Sequence, residues 1–250
     1  MFVKECKELA RSYKLLFVPI VFALLGLGQP VALKLLPLLM QSASNLPPGS
    51  VIQIPTPAPG AVVAGIVGQF SQMGVLVLVL VSMGAIAGER LSGVAATVLA
   101  KPVGRGAYLA AKAAALGLLA AASVALGLGL GAYYTQVLLG PVNWVAAGLG
   151  TLLDLPNLLL PVAVTLAFSA FLPSPLAAGG AGIATVIGLN LVPRYLGAFL
   201  AGAYPGALSA SAARVLVTGT GAALRPLAAV LLLILAALAG GWWVLEQQEI

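Results

Sequence analysis

The feature that most limits the possible folds of this chain is a series of apolar runs too long to be helices of a soluble core. A membrane-spanning helix needs about 20 mostly apolar residues, and it must pair its backbone N–H and C=O groups internally because lipid offers no partners. The mean hydropathy of the chain is +1.11, and only 7% of its residues are charged. The sequence therefore predicts an all-α, polytopic membrane protein with six transmembrane helices and no independent soluble domain.

The apolar runs also predict where the spans lie. Spans one to six are expected at about 15–36, 62–87, 107–131, 157–171, 176–192 and from Pro226 onward. The apolar stretch 144–171 is too long for one straight span, and Asp154, Pro156 and Pro161 predict a break within it. An outer interfacial or re-entrant piece would then precede span four, with Asp154 as an interfacial residue.

Two outer segments separate the spans. Five prolines in 41–60 rule out a regular helix there and predict an outer loop, which is either a plain connector or a recognition loop. The segment 194–225 is predicted to hold one or two shallow re-entrant helices between spans five and six, including a piece near 208–217. A single transmembrane domain thus accounts for all of 1–250.

The first 14 residues have the pattern of an amphipathic helix on the membrane surface. Its apolar face would carry Phe2, Cys6, Leu9 and Tyr13. We expect it to form an elbow that leads into span one, and the alternative is a plain basic cytoplasmic tail. A basic start before an apolar run is also typical of a signal peptide, but Glu5 and Glu8 and the length of the run favour an uncleaved helix.

The segment between spans two and three gathers an unusual share of the charges. These charged residues are Glu89, Arg90, Lys101, Arg105 and Lys112. Leu91, Val94, Ala95, Val98 and Leu99 follow one helical stripe, which predicts a short amphipathic helix over 91–100 in a cytoplasmic loop, 88–106. With both termini in the cytoplasm, eight of the 12 Lys and Arg residues lie on the inner side. That asymmetry fits the positive-inside rule for a multi-pass protein of the cell membrane.

Composition excludes several function classes. The chain has no histidine and one cysteine, so His-based catalysis, thiolate clusters and His-ligated metals are ruled out. No GxxxxGK[ST] motif is present, so this chain is not expected to bind nucleotide phosphates. The net charge of +6 is explained by the inner-side charges and does not indicate nucleic-acid binding. We therefore predict no catalytic residue, no metal and no cofactor bound by this chain.

The run MGAIAGER at 83–90, followed by Gly93, Leu99, KPV at 101–103, Arg105 and Lys112, resembles the hallmark of the permease subunits of type-2 (type V-like) ABC exporters. The resemblance implies a six-span domain that pairs with a second permease copy or a homologue. It also implies two separate ABC ATPase subunits, which bind ATP and Mg. The helix at 91–100 would be the coupling helix, and 2–14 the connecting helix. Ser92, Gly93 and Val94 depart from the Gly-Thr of many members.

The resemblance also implies which residues contact the ATPase. They are Lys4, Glu5, Glu8, Glu89, Arg90, Leu91, Val94, Ala95, Val98, Lys101 and Arg105. The alternative is that 88–106 is only a basic cytoplasmic anchor that follows the positive-inside rule. Candidates for lining the transport pathway are Gln69, Gln72, Thr185 and Asn190, and the alternative for each is a hydrogen bond between helices.

Two other function classes compete with the ABC permease. A secondary transporter or channel would be supported by internal repeats with broken helices and usually needs buried ionisable groups. A membrane-embedded enzyme or scaffold would need a polar cluster inside the membrane. The sequence shows neither repeats nor such a cluster.

Overall fold

The computed structural model describes residues 1–43, 57–94, 104–195 and 202–247, and every regular element in these ranges is a helix. The helices are α1 (Phe2–Arg11), α2 (Lys14–Ala43), α3 (Pro59–Gln69), a π-helical turn (Phe70–Gly74), α4 (Val75–Ser82), α5 (Ala87–Leu91), α6 (Arg105–Leu139), α7 (Trp144–Phe171), α8 (Pro175–Tyr195), α9 (Pro205–Thr218) and α10 (Leu224–Gln247). The predicted all-α class is confirmed.

Within the described residues, five stretches are long and apolar enough to cross a membrane. They are Lys14–Pro37, Pro59–Leu91, Arg105–Leu139, Trp144–Phe171 and Leu224–Gln247. The fifth span expected along the chain corresponds to α8, whose apolar part, Pro175–Leu191, is shorter. The stretch Pro59–Leu91, which holds α3, the π turn, α4 and α5, is called span two below. These spans confirm a polytopic membrane protein.

The predicted break in 144–171 is wrong. This stretch is one continuous helix, α7, with Pro156 and Pro161 inside it. Proline is tolerated within a membrane helix because neighbouring helices and polar side chains satisfy the backbone groups that it frees. Asp154 was expected at an interface, but it is fully buried, because two other elements pack over this part of α7.

Spans one and three cross at very close range. Gly26 of α2 faces Gly127 and Gly131 of α6, and a Cβ added at Gly131 would lie 2.6 Å from the Gly26 carbonyl oxygen. Small residues at such crossings let two backbones touch, which is a principal source of helix association in lipid. Beside the crossing, the rings of Phe22 and Phe70 lie 5.1 Å apart. The packing therefore joins α2, α6 and the π turn.

The structure also tests the shorter predicted elements. The amphipathic N-terminal helix is present as α1, and the piece expected near 208–217 is present as α9, which packs against α3 and α7. Only the first part of the predicted 91–100 helix is described, as far as Val94. Ala95, Val98, Leu99 and Lys101 lie outside the described residues.

Candidate functional site

A buried ion network joins α1, α5 and α6 at one end of the helix bundle. Lys112 Nζ lies 3.0 Å from Glu5 Oε2 and 2.6 Å from Glu89 Oε1, and the three side chains are only 4%, 8% and 11% exposed. The Tyr108 hydroxyl donates a hydrogen bond to Glu89 Oε2. One cation thus holds two carboxylates that come from helices far apart in sequence.

The local sequence of α6 explains why the network forms. Tyr108 and Lys112 are four residues apart, so they project from the same helical face, and the ammonium group lies 5.0 Å from the ring centre. Both side chains point toward α1 and α5, where Glu5 and Glu89 face them. Sequence reasoning used Lys112 only as part of a motif and missed this role. The signal was a Tyr–Lys pair one turn apart on a mostly apolar helix.

A second lysine, Lys4, forms ion pairs at the exposed edge of the same cluster. Lys4 Nζ lies 3.4 Å from Glu5 Oε1 and 3.2 Å from Glu8 Oε2. Burial alone lowers the pKa of Lys4, but the hydrogen bond to Glu8 and the charges of Glu5, Glu8 and Glu89 outweigh it, so the pKa is raised. Oxygen atoms of these three carboxylates come within 4.8 Å of one another. Since Lys4 and Lys112 supply positive charge there, the arrangement favours ion pairing over metal binding.

A cavity of about 140 Å³ lies beside the network, between α1 and the inner part of the bundle. Its polar lining residues are Glu5, Glu8, Ser12, Lys14, Glu89 and Lys112. The Lys14 ammonium is turned inward and donates to the Val81 carbonyl oxygen at 2.9 Å. The space is large enough for several water molecules, so the network can stay hydrated on one side without being exposed.

Helix α5 is held on the last turn of α7. The Ser169 hydroxyl donates to the Met83 carbonyl at 2.8 Å, and it accepts from the backbone N–H groups of Ile86 at 3.2 Å and Ala87 at 2.9 Å. One side chain thus satisfies groups that the turn between α4 and α5 leaves without helical partners. We call this contact, which lies at the same end of the bundle as the ion network, the inner clasp.

Two arginines bind the carboxyl ends of neighbouring helices. Arg90 Nη1 donates to the Ala170 carbonyl oxygen at 2.8 Å, which strengthens the inner clasp. Arg105 Nη1 donates to the carbonyl oxygens of Leu245 at 2.6 Å and Glu246 at 2.9 Å. Cations are favoured at helix C-termini because the backbone dipoles and open carbonyls concentrate negative charge there. Both ends of the predicted coupling loop are therefore fastened to the bundle.

A second polar cluster lies inside the membrane-spanning part of the protein. The hydroxyl groups of Ser71, in the π turn, and Ser209, in α9, each donate to the Asp154 carboxyl group at 2.8 Å. The Asn157 amide donates to Ser209 Oγ at 2.7 Å and to Asp154 Oδ1 at 3.4 Å. We call this contact, which lies farther along α7 from the ion network, the outer clasp. Sequence reasoning missed it because it assigned Asp154 to an interface.

Some of the residues expected to contact an ATPase are turned into the protein, and others are exposed. Glu5 and Glu89 turn their carboxylates toward Lys112, and Arg90 and Arg105 bind helix ends, whereas Leu91 is 69% exposed and Val94 41% exposed. Lys4 and Glu8 lie exposed on α1. Direct contact with an ATPase remains a prediction for all of them, as it does for Ala95, Val98 and Lys101.

The four pathway candidates have different surroundings. Gln69 Nε2 donates to Gln29 Oε1 on α2 at 2.8 Å, which agrees with the alternative of bonding between helices. The Asn190 amide donates to the Val186 carbonyl of its own helix at 2.9 Å. Gln72 is exposed and Thr185 is half-buried. A role in a transport pathway remains a prediction for each.

Comparisons with known proteins agree with these features. The family model described as "ABC-2 family transporter protein" matches residues 1–249. The uncharacterized transmembrane protein YxlG of Bacillus subtilis (strain 168) is 32% identical over 149 residues, which are 59% of this chain and 58% of that protein. The alignment thus spans a little over half of the relative's length. The family match covers nearly the whole chain, and the membrane-spanning helices and the motif at 83–112 agree with it. The protein is therefore a membrane subunit of the ABC-2 transporter family.

Proposed function

We propose that this chain is the permease subunit of an ATP-driven ABC exporter in the cell membrane, with both termini in the cytoplasm. It forms half of the translocation pathway and pairs with a second permease copy or a homologue. Separate ABC ATPase subunits bind ATP and Mg and drive it, so that this chain has no catalytic site of its own. The observation that carries the proposal is the Glu5–Lys112–Glu89 network.

The network matters because it connects the parts that an ATPase would touch. Closure of two ATPase subunits is a two-state movement, and it reaches the spans only through elements that contact both. Lys112 fastens α1 and α5 to the start of α6. A push on α1 or on the loop after α5 would therefore move both elements together with span three.

The exposed side chains support a docking surface at the same end. Leu91 and Val94 are exposed apolar residues directly beyond the network. Their neighbours Glu89 and Arg90 are held inward, so the apolar pair is presented on a fixed base. An exposed leucine fully buried at an interface contributes about 1.5–3 kcal/mol.

The experiment is purification of the chain in mild detergent from cells that express it with its natural partners. A bound Walker-motif ATPase that hydrolyses ATP supports the proposal. Leu91→Ser should lower the amount of ATPase retained about tenfold, which corresponds to 1.4 kcal/mol. The matched control is Leu224→Ser, which changes a leucine that is 75% exposed at the start of α10. A wild-type chain that binds no ATPase contradicts the proposal.

One observation favours the alternative of a secondary transporter not driven by ATP. Asp154 is a buried carboxyl group within a span, and such groups are typical of ion-coupled transport. Transport that continues without an ATPase and collapses when the proton or sodium gradient is removed would support this alternative. Loss of that dependence in Asp154→Asn would identify the group responsible.

A further inference from the structure

Helix α7 is attached to span two at two places with matching spacing. The outer clasp joins Ser71 to Asp154, and the inner clasp joins Ile86 to Ser169. The interval from 71 to 86 along span two equals the interval from 154 to 169 along α7. At 1.5 Å per residue the two clasps are about 22 Å apart along α7, so they hold opposite parts of the same helix pair.

The two helices differ in how well they can carry a displacement. Span two is interrupted by the π turn at Phe70–Gly74 and by the turn between α4 and α5. Helix α7 is one α-helix of 28 residues. A π turn and a break in the helical ladder are places where a helix bends or slides. Proline can also kink a helix, but α7 stays one uninterrupted α-helix through Pro156 and Pro161, which lie between the two clasps. Movement of α5 would therefore pass more directly through α7 than through span two.

The part of α7 at the outer clasp packs against α9. Asp154 and Asn157 bind Ser209 of α9. A Cβ added at Gly150 would meet the Leu216 side chain, so the two helices are in close contact beyond the outer clasp as well. Helix α9 therefore has both a polar and an apolar attachment to α7.

We propose that α7 is a rigid link that carries the displacement of α5 to α9, with the inner clasp at one end and the outer clasp at the other. Ser169 and Asp154 are positioning residues in this arrangement. The inference rests on the proposed function, since α5 is displaced only if an ATPase acts on it. It adds that α9, the helix before the last span, responds to the ATPase through α7.

The test follows the exposure of α9 with a single cysteine. The chain has one natural cysteine, Cys6, so the reporter variant is Cys6→Ser with Val217→Cys, at a position that is 53% exposed on α9. The protein is reconstituted in vesicles with its ATPase and labelled with a membrane-impermeant maleimide, with and without ATP and vanadate. In the reporter protein, the labelling rate should change at least threefold on trapping.

Breaking either clasp should remove most of this response. Ser169→Ala and Ser209→Ala are each expected to reduce the ATP-dependent change to less than half, while ATPase binding and ATP hydrolysis persist. Because the clasps act in series, the fractions of the response that the two single variants retain should multiply, so the double variant should retain less than a quarter. Ser209→Thr keeps the hydroxyl group and should retain the response.

The matched control is Thr165→Val on the same helix, since Thr165 is buried and its hydroxyl group has no hydrogen-bond partner. A full response in Ser209→Ala or a loss in Thr165→Val would overturn the link. If Ser169→Ala fails to fold, Ser209→Ala alone tests the link. Ser209 is only half-buried, so its substitution is expected to leave the fold intact. A bound, active ATPase with an unaltered response in the clasp variants overturns the link alone, whereas absence of any bound ATPase overturns the proposed function.

Discussion

Removal of the Lys112 charge is the perturbation whose effect follows most directly from the structure. In Lys112→Met the side chain keeps much of its length and apolar stem but loses the ammonium group between Glu5 and Glu89. Two carboxylates that are 8% and 11% exposed are then left without their shared cation. Breaking a buried ion pair from one side typically costs about 3–5 kcal/mol, because the remaining charge stays buried and uncompensated.

The distances give a similar magnitude. Oxygen atoms of Glu5 and Glu89 lie within 4.8 Å of each other. Two like charges at that separation repel by about 3.5 kcal/mol at an effective dielectric constant of 20. We therefore expect Lys112→Met to lower the free energy of unfolding by about 3–5 kcal/mol, which is about 6–20 °C in Tm for a chain of this size.

The assay is thermal unfolding in detergent, followed by tryptophan fluorescence. Glu5→Gln added to Lys112→Met should recover about half of the lost stability, because it removes the repulsion between the two carboxylates that Lys112 had held. Lys7→Met is the control, since Lys7 is exposed on α1, and it should leave Tm unchanged within about 2 °C. A Tm for Lys112→Met within that same margin, or a further fall on adding Glu5→Gln, would refute the reasoning.

Two further substitutions test neighbouring features by the same unfolding assay. Tyr108→Phe removes the hydroxyl donor to Glu89 and should cost about 2 kcal/mol, because hydrogen bonds to charged groups contribute about 1.5–3 kcal/mol; no change in Tm would show that the bond contributes nothing. Gly127→Ala places a Cβ against the Phe22 carbonyl oxygen and should cost about 1–3 kcal/mol through overpacking. Gly129→Ala, which meets open space, should be neutral, and equal losses in both variants would contradict the close crossing.

Features that depend on local pattern could be predicted from the sequence. Apolar run length predicted the spans except for the unbroken fourth one, and the spacing of Phe2, Cys6, Leu9 and Tyr13 predicted α1. These signals are contained within one helix, so no knowledge of the partner helix is needed. The motif at 83–112 likewise predicted the family because it is continuous in the sequence.

Features that depend on packing could not be predicted. Asp154 was assigned to an interface because an isolated carboxyl group in a span is costly, and two of its three hydrogen-bond donors come from residues 83 and 55 positions away. The prolines in α7 predicted a break because proline usually interrupts a helix in a soluble protein. Lys112 is bound to Glu5 from 107 residues away, a distance over which spacing carries no signal.

The two clasps, at Ser71 and Ile86, make span two sensitive to its length as well as to its composition. Each residue of an α-helix advances the chain by about 1.5 Å and rotates it by about 100°. Deleting one residue between Ser71 and Ile86 would thus swing the following helix away from α7, even if every remaining side chain were unchanged. Conservative substitutions in this stretch are compatible with both clasps, whereas a single insertion or deletion separates them. Among related chains, gaps in an alignment should therefore fall outside 71–86 and 154–169.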